Sequence, residues 1–464
     1  MMMKMIPLEI QKESLPPRFE SASLYSLLQY SVLAIGIAFS VASCDGSTTS
    51  DKYTIDEWNS DNLWWTQQLG TSSGDEARGV ATDSSGNVFI TGFTTGNLDG
   101  GTDGKADDFF VVKYNRYGTR EWTRQIGAVK MSTGETYDQA LCIATDSSGN
   151  VFVGGFVTGV LDNSTWGGSR NYAVVKYNSS GTKQWSHQGT AATKANGVAT
   201  DSSGNVYVAA ESDNISVIKF NSTGAEQWTK QLDSLSSSGD IPYAIATDSS
   251  DNVYVAGYTD GDLDGNTSAG SADLFVVKYN SSGTKQWTKQ LGTSSDDRAY
   301  GVAADSSGNV YVAGYTSGGL DGNTNAGYTD LFVVKYNSSG TKQWTRQLGS
   351  LGNDYAYGVA ADSSGNVYVT GYIEGNIEGG LDGNTGAGGM DIFVVKYNSS
   401  GTKQWTRQLG SSVGDIAYGV AIDSPRGRVY IAGTTGGGLD GNTNYGGATL
   451  GHDIFLTRTW TLDF

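Results

Sequence analysis

Three observations predict an all-β fold built from repeated four-stranded units. One segment recurs: residues 305–344 read DSSGNVYVAGYTSGGLDGNTNAGYTDLFVVKYNSSGTKQW, and residues 362–405 repeat it around a longer insertion. A Trp returns at 65, 122, 185, 228, 287, 344 and 405, at intervals of 43 to 63 residues. Composition agrees: 65 of 464 residues are Gly and only 5 are Pro, beside 26 Tyr, 14 Phe and 11 Trp. That mixture suits short strands joined by tight turns. Four strands in each unit of about 40–60 residues is the pattern of a β-propeller blade. Seven such sets occur, marked by Asp83, Asp146, Asp201, Asp248, Asp305, Asp362 and Asp423. The expected architecture is a seven-bladed β-propeller of four-stranded antiparallel blades.

Each strand of the unit has its own logic. RAYGVAAD, the first, holds the small residues that fit a crowded innermost strand. NVYVAGYT and DLFVVKYN are apolar at successive positions, as strands buried on both faces are. TKQWTRQLG alternates, with Trp344, Arg346 and Leu348 on one face and Thr345 and Gln347 on the other, which suits an outer strand. Between the first two strands, DSSGN pairs an Asp that bonds its own backbone with a Gly that accepts positive φ. Asp251 replaces that Gly in the fourth copy, and the seventh copy reads DSPRGRVY with one extra residue. NSSGT forms the turn before the outer strand, with Asn178, Asn280, Asn337 and Asn398 opening four copies. These four also match glycosylation sequons, and the turn is the preferred reading.

Both ends are incomplete units. The last stops at DIFLTRTWTLDF with no outer strand, and LWWTQQLG at 63–70 is an outer strand with no unit before it. Residues 61–70 therefore complete the seventh blade and close the ring, removing two open sheet edges. The propeller is expected over residues 61–464.

GVAADSSGNVYVAGYT and DLFVVKYNSSGTKQWTRQLG resemble the bacterial seven-bladed β-propeller repeat family called SBBP, over about residues 61–464. The resemblance implies this fold and a secreted or lipid-anchored protein, and no common reaction. VVKYNSSGTKQW is also similar to the tryptophan-docking motif of quinoprotein propellers. A large ring wedged between blades explains that motif without a quinone.

Residues 24–43, LYSLLQYSVLAIGIAFSVAS, are an uncharged apolar run ending at Val41-Ala42-Ser43-Cys44. This looks like a bacterial lipobox. It implies a signal segment over 1–44, lipidation at Cys44, a polar tether over 45–60 and a membrane anchor in the cell envelope. An uncleaved membrane helix and a plain secretory signal are the alternatives; all three place the ring outside the cytoplasm. Cys142 sits in LCIATD as a core thiol.

The loops between the second and third strands carry the most suggestive chemistry. Asp99, Asp162, Asp264, Asp321, Asp382 and Asp440 occupy one equivalent place, and Asn266, Asn323, Asn384 and Asn442 follow two residues on in four copies. Oxygen ligands in a Gly-rich loop are what Ca²⁺ needs, although the EF-hand pattern is not met. Capping of the loops by the same side chains is the alternative. These loops vary along the chain and share a face with the links between blades, so that face is expected to bind. The third unit lacks the LDG loop, leaving a notch at Glu211, Ser212 and Asp213.

A net charge of −18 argues against nucleic-acid binding. The two histidines, His187 and His452, form no ligand spacing, and no HExxH or P-loop occurs. The expected function is therefore that of a monomeric, lipid-anchored binding or scaffold protein without cofactor, whose loop-rich face takes a protein or glycan. The alternatives are a glycan-active hydrolase or lyase with carboxylates at the axial channel, and a calcium-stabilised spacer.

Overall fold

Backbone pairing groups the strands in fours along the sequence. A computed structural model describes residues 65–98, 107–129, 137–162, 164, 170–212, 214–232, 239–374, 380–445 and 451–460. All lie in Asn59–Phe464, the second of two units into which the chain divides. Cys44, the tether, Asp99 and Asp213 lie outside the described residues. Blade one comprises Asp75–Thr82, Val88–Thr94, Asp108–Tyr114 and Arg120–Ile126, hydrogen-bonded in that order, and five more blades repeat the arrangement. Blade seven comprises Asp415–Asp423, Arg428–Thr435 and Asp453–Trp460, and its outer strand is Trp65–Leu69. The register runs antiparallel from Trp65 opposite Arg458, through Gln68 opposite Phe455, to Leu69 opposite Ile454. The expected closure is therefore present.

The apolar core is seven layers, each shared by two neighbouring blades. A strand between two such layers has no solvent face. Val310–Thr316 is buried at every position for this reason, which explains its unbroken apolar run.

Polar contacts fix each blade to the next. The indole N–H of Trp344 donates to the Ser399 carbonyl at 3.3 Å, and the Lys335 ammonium donates to the same oxygen at 2.9 Å. The Arg346 Nε donates to the Gly401 carbonyl at 2.6 Å. Gly401 lies flat on the Trp344 ring: a Cβ there would come within 2.7 Å of the ring. Glycines 118, 181, 224, 283 and 340 meet the preceding blade's Trp in the same way. The Gly of NSSGT thus turns the chain and admits the neighbouring indole.

The closure point departs from this pattern. At Lys335's position blade seven has Arg458, which is buried, donates to the Arg116 carbonyl at 3.0 Å and lies 5.6 Å over the Trp65 ring. Among the described residues, the indole N–H groups of Trp65 and Trp405 find no acceptor. Trp405 faces blade seven, whose outer turn is replaced by the two ends of the chain.

The hairpin turns form as their residues dictate. Asp305 accepts from the backbone N–H of Ser307 and Asn309, both at 2.9 Å, and from the Asn309 side chain at 2.8 Å. The two irregular copies differ from this turn. Asp251 takes φ +59° and accepts from Ser202 of the preceding blade, while Ser424–Arg426 adds a short 3₁₀ turn ending on left-handed Gly427.

Two glycines with the same φ of +79° separate conformation from packing. Gly322→Ala, in open space, is expected to lose about 1–2 kcal/mol of stability from backbone conformation alone. Gly401→Ala is expected to lose about 1–3 kcal/mol more through its clash with Trp344. Urea unfolding of both variants measures the difference.

Candidate functional site

The innermost strand of every blade contains a β-bulge. In blade five Ala299 pairs with Gly314 and Gly301 with Ala313, so Tyr300 has no partner. The corresponding unpaired residues are Arg78, Leu141, Asn196, Tyr243, Tyr357 and Tyr418. The facing residue on the second strand is held to glycine in six blades. A Cβ on Gly314 would lie 1.9 Å from the Arg298 carbonyl oxygen, and Gly92, Gly155, Gly257, Gly371 and Gly433 are equally confined. Only blade three has Ala210 there. A bulge of this kind re-aims a side chain. Here it turns one side chain per blade toward the axis.

These seven residues, with Gln139, Phe156, Arg170 and Lys194, line a cavity of about 390 Å³. The cavity opens on the loop-rich face, since Arg170 ends a long loop of blade two and Lys194 begins the inner strand of blade three. Its wall has two halves. Blades four to seven supply an arc of tyrosines, with ring centroids 4.7 Å apart for Tyr243 and Tyr300, 5.1 Å for Tyr300 and Tyr357, and 5.2 Å for Tyr357 and Tyr418. Tyr258, Tyr315, Tyr355 and Tyr372 back this arc. Blades one to three supply Arg78, Arg170 and Lys194. Below, the axis continues as a passage of about 190 Å³ between strands bearing Gly301, Gly358 and Gly419.

Arg78 is fixed by Glu76 at 2.5 Å and stacks 4.2 Å over Tyr418, and Lys194 pairs with Glu211 at 3.1 Å. Arg170 stacks 4.7 Å over Phe156 and, among the described residues, pairs with no carboxylate. The hydroxyls of Tyr243, Tyr300 and Tyr357 make no hydrogen bond with the described residues. Burial pushes these phenols up, so they remain protonated donors at neutral pH. The described lining contains no carboxylate, whereas the hydrolase alternative places carboxylates there.

The aspartates singled out in the sequence lie elsewhere and are not brought together. Asp162, Asp264, Asp321, Asp382 and Asp440 each occupy left-handed φ between +50° and +57°. Asp321 accepts from the Lys342 ammonium at 2.5 Å and the Thr345 hydroxyl at 2.8 Å, both on its own blade's outer strand. Asp162, Asp264 and Asp382 have equivalent Lys and hydroxyl partners, and Asp440 is held by Thr66. Burial would raise the Asp321 carboxyl, but the hydrogen bonds from Lys342 and Thr345 and the ammonium charge outweigh it and hold it below its usual range. Asn266, Asn323, Asn384 and Asn442 each donate to the Leu carbonyl three residues back, at 2.7–2.9 Å. The Gln347 side chain accepts from the Leu320 N–H at 2.9 Å, and the buried Leu320 wedges into the layer between blades four and five. Among the described residues, four of these carboxylates are thus paired with a lysine, and Asp440 with a hydroxyl alone. No cluster of three or more His, Cys, Asp or Glu side chains placed to hold a metal ion occurs among the described residues.

Other residues noted in the sequence are engaged locally. At the notch, Glu211 holds Lys194 and Ser212 bonds to Asn214. The loop there is 212–214, against 317–329 in blade five. His187 packs 4.6 Å from Phe220 and meets the Tyr172 hydroxyl at 3.1 Å; the His452 side chain is exposed. Burial raises the Cys142 thiol.

Two carboxylates meet at the blade interfaces. Asp330 and Asp354 are both buried. Asp330 accepts from the Ala326 N–H and the Gln347 side chain through one oxygen, while its other oxygen has no partner among the described residues. Burial, aided by the Asp330 charge, pushes Asp354 up to about 6 despite its bonds from Ser350. Asp138 is pushed up to about 6 in the same way, chiefly by burial and then by Asp108 and Asp107. A folded pKa above the unfolded one means that the folded state binds the extra proton, so stability rises as pH falls from about 7 toward 4. Asp354→Asn is expected to flatten that rise in melting temperature between pH 7.5 and pH 5 relative to the unaltered chain. An unchanged slope would contradict this account.

Comparison with known proteins agrees with the geometry. Residues 65–99, 184–215, 227–264, 286–321, 343–378 and 404–440 match the repeat described as "SBBP: Beta-propeller repeat". The chain is 27% identical over 174 residues to regulatory protein FlaEY of Caulobacter vibrioides, covering 35% of this chain and 18% of that protein. It is 25% identical over 197 residues to the uncharacterized WD repeat-containing protein L264 of Acanthamoeba polyphaga mimivirus, covering 36% and 14%. The match thus spans less than a fifth of either relative's length. Among solved structures, the WD40 domain of Neurospora crassa Pan2 is similar with a TM-score of 0.46 and 11% identity, covering 85% of this chain and 95% of that one.

Proposed function

This chain is an SBBP-repeat β-propeller, and we propose that it is a non-catalytic binding protein of the bacterial cell envelope. In this reading Cys44 carries the lipid anchor and the monomeric ring captures a protein or glycan on its loop-rich face, with the axial cavity at the centre. The observation that carries it is the difference between the two faces. Of the seven large hydrophobic residues that are exposed among the described residues, Val129, Tyr137, Tyr328, Leu351, Val413 and Tyr445 lie in the long loops and inter-blade links. Tyr117 alone lies in a hairpin turn of the opposite face. Exposed apolar residues gathered on one side of a rigid scaffold are the mark of an interaction surface. The opposite face consists of short hairpins whose polar groups are used internally, as at Asp305 and Asn337. The anchor rests on the Val41–Cys44 pattern and the apolar run before it.

The test is photo-crosslinking in the native cells, with the full chain carrying a crosslinking residue at Tyr328 or Val129, or at Ser307 or Ser339. Discrete adducts are expected from the first pair and none from the second. Adducts from the hairpin face alone would overturn the assignment.

A further inference from the structure

The axial cavity has a composition that specifies its ligand. In a chain with 48 acidic and 30 basic side chains, its described lining holds three cations and no carboxylate. Two of the cations, Arg78 and Lys194, have acidic partners. Arg170 has none among the described residues and is exposed at the rim. One negative charge on the ligand is therefore matched at one place. Opposite stands an arc of four aromatic faces, of which Tyr243, Tyr300 and Tyr357 make no hydroxyl hydrogen bond with the described residues. Gln139 of blade two and Asn196 of blade three add amides to the lining, each with its N–H₂ held by the protein, through Asp107 at 2.7 Å and the Pro242 carbonyl at 3.0 Å. Both side-chain carbonyls remain as acceptors. A wholly apolar ligand would leave these groups without hydrogen bonds, which is costly. A ligand with C–H faces between hydroxyls would satisfy rings and polar groups together.

We infer that the axial cavity binds an acidic saccharide, a uronate ring or uronate chain end, with its carboxylate on Arg170 and its ring faces against Tyr300 and Tyr357. This rests on the binding role proposed above and names the ligand at the centre of that face. The volume of about 390 Å³ falls within the range of about 300–1,000 Å³ usual for small-molecule sites. The narrower passage beneath suits a chain end. Blade three, with only residues 212–214 where its neighbours carry long loops, leaves room for the rest of a chain to leave sideways.

The test is calorimetric titration of the full chain with digalacturonate, its dimethyl ester and an acetylated Glu-Glu amide. Digalacturonate is expected to bind about tenfold more tightly than the ester, the worth of one charge-assisted contact. Arg170→Gln is expected to bring the acid to the affinity of the ester and to shift the melting temperature little, because the exposed Arg170 pairs with no described carboxylate and loses only its stacking on Phe156. Tyr357→Ala is expected to weaken acid and ester alike by about tenfold, the scale of one lost aromatic contact. Equal affinity for acid and ester, or indifference to Arg170→Gln, would overturn the inference. So would peptide binding that depends on Arg170 without saccharide binding. If no saccharide binds while crosslinks still gather on the loop-rich face, this inference fails and the proposed function stands.

Discussion

Everything on the axis depends on five residues that lie far in sequence from the blade they complete. Trp65–Leu69 is the outer strand of a blade whose other strands begin at Asp415. Without it, Asp453–Trp460 would present a bare edge and the seventh layer of core would lose Trp65 and Leu69. A ring has no slack: each inner strand is positioned by the two beside it. The arc from Tyr243 to Tyr418 and the cations of blades one to three share one cavity only because blade seven joins blade one. There Arg78 stacks on Tyr418 across the seam, so the seam is itself part of the site.

The repeat divides its residues between two tasks. Residues that recur unchanged build the ring: the Trp on the next blade's Gly, the Lys that shares an acceptor with it, and the Asp in each hairpin. The LDG loop belongs with them. Its Leu enters an inter-blade layer, its Asn closes the turn, and its Asp is tied to the outer strand, in four blades by a Lys and a hydroxyl together. The bulge position is different. It is Tyr in four successive blades and Arg, Leu and Asn in the other three, while a small residue or Pro precedes it and Ala, Gly or Cys follows. The position two residues before it varies as well, through Glu76, Gln139, Lys194, Ile241, Arg298, Tyr355 and Ile416, and variation at such positions is how a symmetric scaffold acquires an asymmetric site.

Much of this was legible in the sequence. Strand periodicity marked four strands per unit, the Trp spacing marked the blades, and the two half-units at the ends announced the closure. The alternation of Thr345 and Gln347 against Trp344 and Arg346 was also plain. What those faces touch was not. The partners of Asp321 lie 21 and 24 residues further along, and no local pattern ties them to the loop. The loop therefore resembled a cation site, because Asp and Asn in a Gly-rich segment suit either role. The axial site was missed for another reason. RAYGVAAD reads as a plain small-residue strand, and a bulge leaves no mark in composition. The signal was the pairing of that strand with a Gly at Gly314 and its equivalents, together with the exchange of Tyr for Arg78, Leu141 and Asn196.

Hydrogen exchange of the full chain, read at residues 65–69, tests the closed ring most directly. The closed ring predicts that the amides in this segment bonded to Asp453–Trp460 exchange as slowly as those of the other outer strands, such as Lys342–Leu348. Exchange at the rate of the exposed loops would show that the seventh blade is open, and the shared axial cavity would go with it.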